Sequence, residues 1–254
     1  MTTTATAALA RARSGVVIGL VALVTVCWAY LWLVASRMGD MSSVLSMPMT
    51  SAWTASQAAL MSLMWSVMMA AMMLPSAVPM VLAYDRMERG STGPGRGSTG
   101  LFVGGYLLVW AGFAIVATSL QWMLHDLALV DGMGAASTGS VAGAVLVVAG
   151  VVQFSPVKTR FLMTCRTPLG FLMTSWREGK WGALAMGVHH GTLCVGCCWA
   201  LMALLFVLGV MNLAWVVALA ALVLLEKVAP RGEILSRVSG SILVAWGIYA
   251  VAFL

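Results

Sequence analysis

The chain has 254 residues, of which 61% are hydrophobic and only 9% charged, with a formal net charge of +6. A soluble domain is typically about a quarter charged, so this composition cannot cover a water-facing surface. A polytopic membrane protein is expected, and the positive charge reads as a topological signal, with no case for nucleic acid as a partner.

Seven apolar runs approach the roughly 20 residues that a helix needs to cross a ~30 Å hydrocarbon core. They are Gly15–Ala35, Ala55–Ala83, Leu101–Met123, Val141–Phe154, Trp181–Val210, Leu213–Val228 and Val238–Leu254, the fourth and sixth being short. Lipid admits only helices or closed barrels, and no ten-residue stretch alternates with period two as a barrel strand would. The expected fold is therefore all-α: a single transmembrane domain, residues 1–254, of about seven helices. Lys and Arg concentrate on the cytoplasmic side of membrane proteins. With the N-terminus inside and the C-terminus outside, thirteen of the fourteen Lys and Arg are cytoplasmic and only Arg37 is external. This places the protein in the cell inner membrane as a multi-pass chain. The first run is longer than a secretory h-region and lacks a small-x-small cleavage site, so it reads as a span and not a signal peptide.

The second run is rich in Met: Met61, Met64, Met68, Met69, Met72 and Met73, followed by Pro75 and Pro79. Met61, Met64, Met68 and Met72 share one helical face. Thioethers are soft ligands that can pass Cu(I) along, with Met47-Pro48-Met49 as an external collector; equally, Met fills irregular apolar gaps. The prolines are expected to kink or break the cytoplasmic end of this helix. A Gly/Ser-rich linker, Asp85–Gly100, follows. His125, Asp126 and Asp131 form a small external polar group. The basic, semi-apolar segment Ser155–Lys180 is expected to lie along the inner surface as an amphipathic stretch.

The fifth run carries His189, His190, Cys194, Cys197 and Cys198 within ten residues. Polar groups inside a bilayer need a partner or a role. At about 100° per residue, Met186, Cys194, Cys197 and Cys198 all fall within about 80° of His190, while His189 lies on the flank at about −100°. Thiolate and thioether suit Cu(I), and Cys with His also suits Zn²⁺. Residues seven or eight apart are separated by ~10–12 Å along the axis, so the stripe forms two sites, a ladder, or one site completed by another helix. Gly187 and Gly191, four apart beside it, would let that helix approach closely. Read blandly, the same cysteines are small core hydrophobes. Cys194-x-x-Cys197 is also the spacing of dithiol oxidoreductases. After a tight turn at Met211-Asn212, the sixth run ends in Glu226-Lys227, expected to be an interfacial ion pair with Lys227 snorkelling to the surface.

Three stretches carry a likeness to a known family: Met69-Ala-Ala-Met72-Met73-Leu74-Pro75-Ser76, Cys165-Arg166-Thr-Pro168-Leu-Gly-Phe171, and Gly191-Thr-Leu-Cys194-Val-Gly-Cys197-Cys198-Trp199-Ala-Leu-Met202. With the continuation through Gly209 and Trp215 to Glu226-Lys227, the chain beyond its first run resembles the domain of unknown function 2182 family, described as predicted metal-binding integral membrane proteins. The resemblance implies a membrane fold and a metal, and supplies no established activity. Relatives carry a further Cys four residues before Cys165; here that place is Phe161, which leaves a second cytoplasmic thiol pair incomplete.

The reading that joins these features is a membrane metal-binding protein for copper, with zinc or iron as alternatives. It would act in passage, in delivery, or as a fixed centre in a membrane complex. The expected ligands are His190, Cys194, Cys197 and Cys198, with His189, Met68 and Met72 as further candidates. Expected partners are the lipid bilayer, the metal ion, and other membrane subunits or a metallochaperone. Two rival classes stay open: a membrane thiol-disulfide oxidoreductase, and a subunit of a metal-dependent membrane oxidase or monooxygenase.

Overall fold

The computed structural model describes residues 2–37, 54–90, 97–127, 139–210 and 212–253, with side chains from Ser14 onward. Ten helices follow in order: α1 (Thr2–Arg37), α2 (Ala55–Gly90), α3 (Thr99–Asp126), α4 (Gly139–Gln153), α5 (Pro156–Arg166), α6 (Pro168–Ser175), α7 (Gly179–Ala203), α8 (Leu205–Leu208), α9 (Leu213–Val228) and α10 (Gly232–Phe253). No strand occurs among the described residues. The Met47-Pro48-Met49 collector, Asp131 and Met211 lie outside them.

Five helices are long and apolar enough to cross a membrane: α1 from Ser14, α2, α3, α7 with α8, and α10. A sixth span arises if α4 and α5, bent by 63° at their junction, count as one. Five such spans, or six with the bent pair, stand where about seven were expected, and the two short runs make the difference. α4 has 15 residues and α9 has 16, so at 1.5 Å per residue each reaches only about 22–24 Å, short of the ~30 Å core.

Burial assigns the roles. Of the apolar window of α2, 61% is buried, against 17% for α1. α2 is the central helix, packed by α1, α3, α9 and α6; α1 turns Ile18, Val21, Val26 and Trp32 outward. The Met residues of α2 are buried from Met61 to Met80, so as a group they fill the core. Nor do the prolines break this helix, which runs through Pro75 and Pro79 without interruption.

Between helices in lipid the driving force is close packing, because lipid tails are as apolar as the side chains they replace. Glycines supply it here. A Cβ on Gly105 would stand 2.9 Å from the Val188 amide nitrogen, and one on Gly191 would stand 2.9 Å from Val109 Cβ. α3 and α7 therefore cross nearly backbone to backbone, as Gly187 and Gly191 led one to expect. A second such crossing had no sequence expectation attached to it. Gly143 of α4 faces the Gly247 carbonyl of α10, and Gly150 faces that of Gly240, at 2.6 and 2.8 Å from the added Cβ. The order of the pairs shows that α4 and α10 are antiparallel.

The segments that join α2 to α3 and α4 to α7 are more built than their composition suggests. α2 extends to Gly90, and Glu88 accepts hydrogen bonds from the Ser98 amide (2.7 Å) and the Thr99 hydroxyl (2.9 Å). A carboxylate is thereby held at the N-terminus of α3, where the helix dipole favours it. The stretch 155–180 is folded as well. It forms α5 and α6, which bury Leu162, Cys165, Phe171 and Leu172, and α5 packs against α7 with the Phe161 ring over Gly196. Part of its apolar surface is thus taken by protein, while Val157, Met163, Leu169 and Met173 stay exposed.

A buried polar network ties this segment to the last helices. Lys158 Nζ lies 2.7 Å from Glu226 Oε2 and 2.9 Å from Ser236 Oγ, and also donates to Gln153 Oε1. Gln153 Nε2 in turn donates to Glu226 Oε1 at 3.1 Å. Arg166 caps the C-terminus of α9, donating to the carbonyls of Glu226 and Ala229, both at 2.6 Å. Adjacent residues on a helix point about 100° apart, so Glu226 and Lys227 cannot both face this network. Glu226 does; Lys227 points elsewhere. The expected Glu226–Lys227 surface pair is therefore replaced by a buried Glu226–Lys158 pair, and Lys158 and Lys227 drop out of the charge count that set the orientation.

Candidate metal centre

Cys194 lies fifteen residues into α7, about 22 Å along the axis from Gly179. All five cysteines of the chain are free and buried. Cys194 is fully enclosed, and side chains from two other helices, themselves tied to α2, reach it. Tyr106 of α3 places its hydroxyl 3.1 Å from the sulfur. Lys227 of α9 donates from Nζ to the same sulfur at 2.9 Å and to Ser76 Oγ of α2 at 3.1 Å. Tyr106 also donates to the Met73 carbonyl of α2 at 3.2 Å.

The next turn of α7 holds the other thiols. Cys197 and Cys198 both turn back to donate to the Cys194 carbonyl, at 3.1 and 2.8 Å, the back-bonding that short polar side chains make one turn up a helix. Cys198 Sγ lies 4.0 Å from the Met73 thioether. Cys165, at the end of α5, comes within hydrogen-bonding reach of Cys197. Sulfur from α2, α5 and α7 is thereby gathered into one buried region. Among the described residues, no three Cys, His, Asp or Glu side chains converge as a ready-made cage.

His190, one turn before Cys194, sits in an aromatic box. Its ring stacks on Tyr106 (5.6 Å between centroids) and Phe102 (6.1 Å), with Phe171 edge-on at 5.5 Å. The residue is 2% exposed, and Nδ1 has no hydrogen-bond partner among the described residues. A buried ring nitrogen without a partner costs stability, and it leaves a lone pair or an N–H free for another group. His189 is exposed and rests on the Phe171 ring at 5.2 Å, on the flank away from the thiols.

Of the residues singled out from sequence, Cys194, Cys197 and Cys198 come together, His190 stands one turn away, and His189 lies apart. Met68 and Met72 are buried in α2, and the thioether that meets a cysteine is instead that of Met73. Sequence reasoning missed Met73, Tyr106, Cys165 and Lys227. For Lys227 the signal was a charge inside an apolar run, and for Cys165 a thiol in a stretch that carries the family likeness. Tyr106 left no signal.

A family model described as copper chaperone, PpoB2, matches residues 62–250. The chain belongs to this family. The match starts inside α2 and ends in α10, so it takes in all four cysteines of the cluster, Met73, Tyr106 and Lys227. No curated protein and no solved structure matches the chain. Membership of a copper chaperone family and several helices able to cross a membrane together agree with a membrane protein that handles copper.

Proposed function

We propose that this copper chaperone family member binds Cu(I) within the membrane at Cys194, Cys197 and Cys198, and delivers it to a partner. Cys165 and Met73 would supply further sulfur, and His190 Nδ1 a borderline nitrogen at one end. The observation that carries the reading is the meeting of thiols from α5 and α7 with a thioether from α2 in a buried region. Soft sulfur selects Cu(I), whereas a structural zinc site wants four ligands in a closed tetrahedron. Binding requires Cys197 and Cys198 to release the Cys194 carbonyl, each rotation giving up about 1 kcal/mol of hydrogen bonding. That is a modest cost for a carrier that must also let go of its cargo.

The chain would sit in the inner membrane as a single unit, N-terminus cytoplasmic and C-terminus outside, with α9 and the bent α4–α5 pair completing seven crossings. A metallochaperone or another membrane subunit would exchange copper with it. The test is elemental analysis of protein purified anaerobically, beside a variant with Cys194, Cys197 and Cys198 all changed to Ser. Near-stoichiometric copper in the wild type, lost in the variant, is expected. Equal copper in both would sink the assignment, and metal-free protein with oxidisable thiols would point to thiol-disulfide chemistry.

A further inference from the structure

Two contacts fix how α2 faces α7. Met73 Sδ lies 4.0 Å from Cys198 Sγ, and the rings of Trp65 and Phe206 pack with centroids 5.3 Å apart. Eight residues separate Met73 from Trp65, and eight separate Cys198 from Phe206. Leu204, between α7 and α8, keeps helical dihedrals of −62° and −21°, so the helical path continues to Phe206. The two elements are therefore antiparallel and in register. Halfway between the contacts, four residues from each, the register sets Met69 opposite Met202. Four residues turn a helix by about 400° and rise ~6 Å, so each Met points within about 40° of its flanking contacts. Both residues are 0% exposed, and α3 and α9 each pack against both helices.

We propose that Met69 and Met202 form a second, weaker site for a soft monovalent cation, one helical turn beyond the thiol cluster toward the Ala55 end of α2. The inference rests on the thiol site proposed above and adds the next step of the ion's route. Thioether sulfur is a soft donor that suits Cu(I). It is neutral, loses no proton on binding, and holds the ion less tightly than a thiolate. Residues four apart are neighbours on a helix face, so Met69 lies beside Met73, and Met202 beside Cys198. A move of ~6 Å carries the ion from one sulfur pair to the next. On the far side the pair is bounded by Trp65 and Phe206, with Trp65 Nε1 donating to Gln121 Oε1 at 2.8 Å. Packing alone needs no sulfur at either place, since Leu fills nearly the same volume; exchanging sulfur for carbon therefore separates a ligand from a filler.

The experiment equilibrates the full-length protein in detergent, under anaerobic conditions, with Ag⁺ as a redox-inert monovalent probe. Free methionine buffers the Ag⁺, and bound metal is counted by elemental analysis over a range of free concentrations. The variants are Met69→Leu, Met202→Leu, both together, and Met80→Leu, a buried thioether of α2 on the other side of Met73. Met→Leu is well tolerated in cores, and thermal unfolding checks that each variant is folded; should one single variant fail, the other decides. The wild type is expected to bind tight Ag⁺ at the thiols and a single further, weaker equivalent. Each single variant should lose that weaker equivalent, the double variant should lose no more, and Met80→Leu should keep it. A weaker equivalent that is missing from the wild type, unchanged in the single variants, or lost equally in Met80→Leu overturns the proposal. A wild type without tight Ag⁺ refutes the thiol site and this step with it, whereas tight Ag⁺ with an unchanged weaker equivalent refutes this step alone.

Discussion

Replacing Lys158 by Met tests whether the buried network holds α5 to the end of α9. Lys158 and Glu226 are 3% and 2% exposed and 2.7 Å apart. With an effective dielectric constant near 20, two unit charges at that distance attract by about 6 kcal/mol, most of which desolvation cancels while the pair is intact. Removing one partner leaves the other charge buried, and such changes cost about 3–5 kcal/mol. Glu226 would keep Gln153 Nε2 at 3.1 Å and Ser239 Oγ at 3.4 Å, so the lower end, about 3 kcal/mol, is expected. For a chain of this size that corresponds to a fall in Tm of about 6–12 °C. The assay is thermal unfolding in detergent, followed by size-exclusion of the surviving monodisperse protein. The double variant Lys158→Met/Glu226→Gln leaves no stranded charge and should recover most of the loss. A single variant as stable as the wild type, or a double variant no better than the single, would refute the reasoning.

Other expectations follow from the same geometry. Gly105→Ala should cost about 1–3 kcal/mol by forcing α3 off the α7 backbone, while Gly104→Ala, whose added Cβ meets nothing within 4 Å, should leave Tm unchanged; similar values for the two would dismiss the crossing. Met73→Leu should weaken Cu(I) retention against a competing chelator, and Met72→Leu should do so less, since the Met73 thioether lies 4.0 Å from Cys198 Sγ; the reverse order would return the ligand role to Met72. Arg166→Gln strips charged donors from the carbonyls that end α9 and should cost about 1.5–3 kcal/mol, read as lowered Tm; an unchanged Tm would show that water caps α9 as well.

Hydropathy alone marks the helical class and the long helices, because each must satisfy its own backbone in lipid and so needs a long apolar run. The same run length overstates α4 and α9: apolar residues buried against protein look identical in sequence to those that face lipid. Helical periodicity was enough to put Cys194, Cys197 and Cys198 on one stripe beside His190, and Gly187 and Gly191 marked where another helix approaches. Those are features of a single helix, fixed by 3.6 residues per turn. What lay between helices was not legible. Lys227 looks like a residue at a membrane edge until the end of α9 is seen to stop at the level of Cys194, and Glu226 looks like its partner until Lys158 folds in from α5. Met73 and Met72 differ by one position in a Met-rich run, yet about 100° of rotation decides which thioether meets Cys198. The residue types of the site were therefore written in the chain, whereas its charge balance and its sulfur partners came from tertiary packing, which alone sets the distance between side chains on different helices.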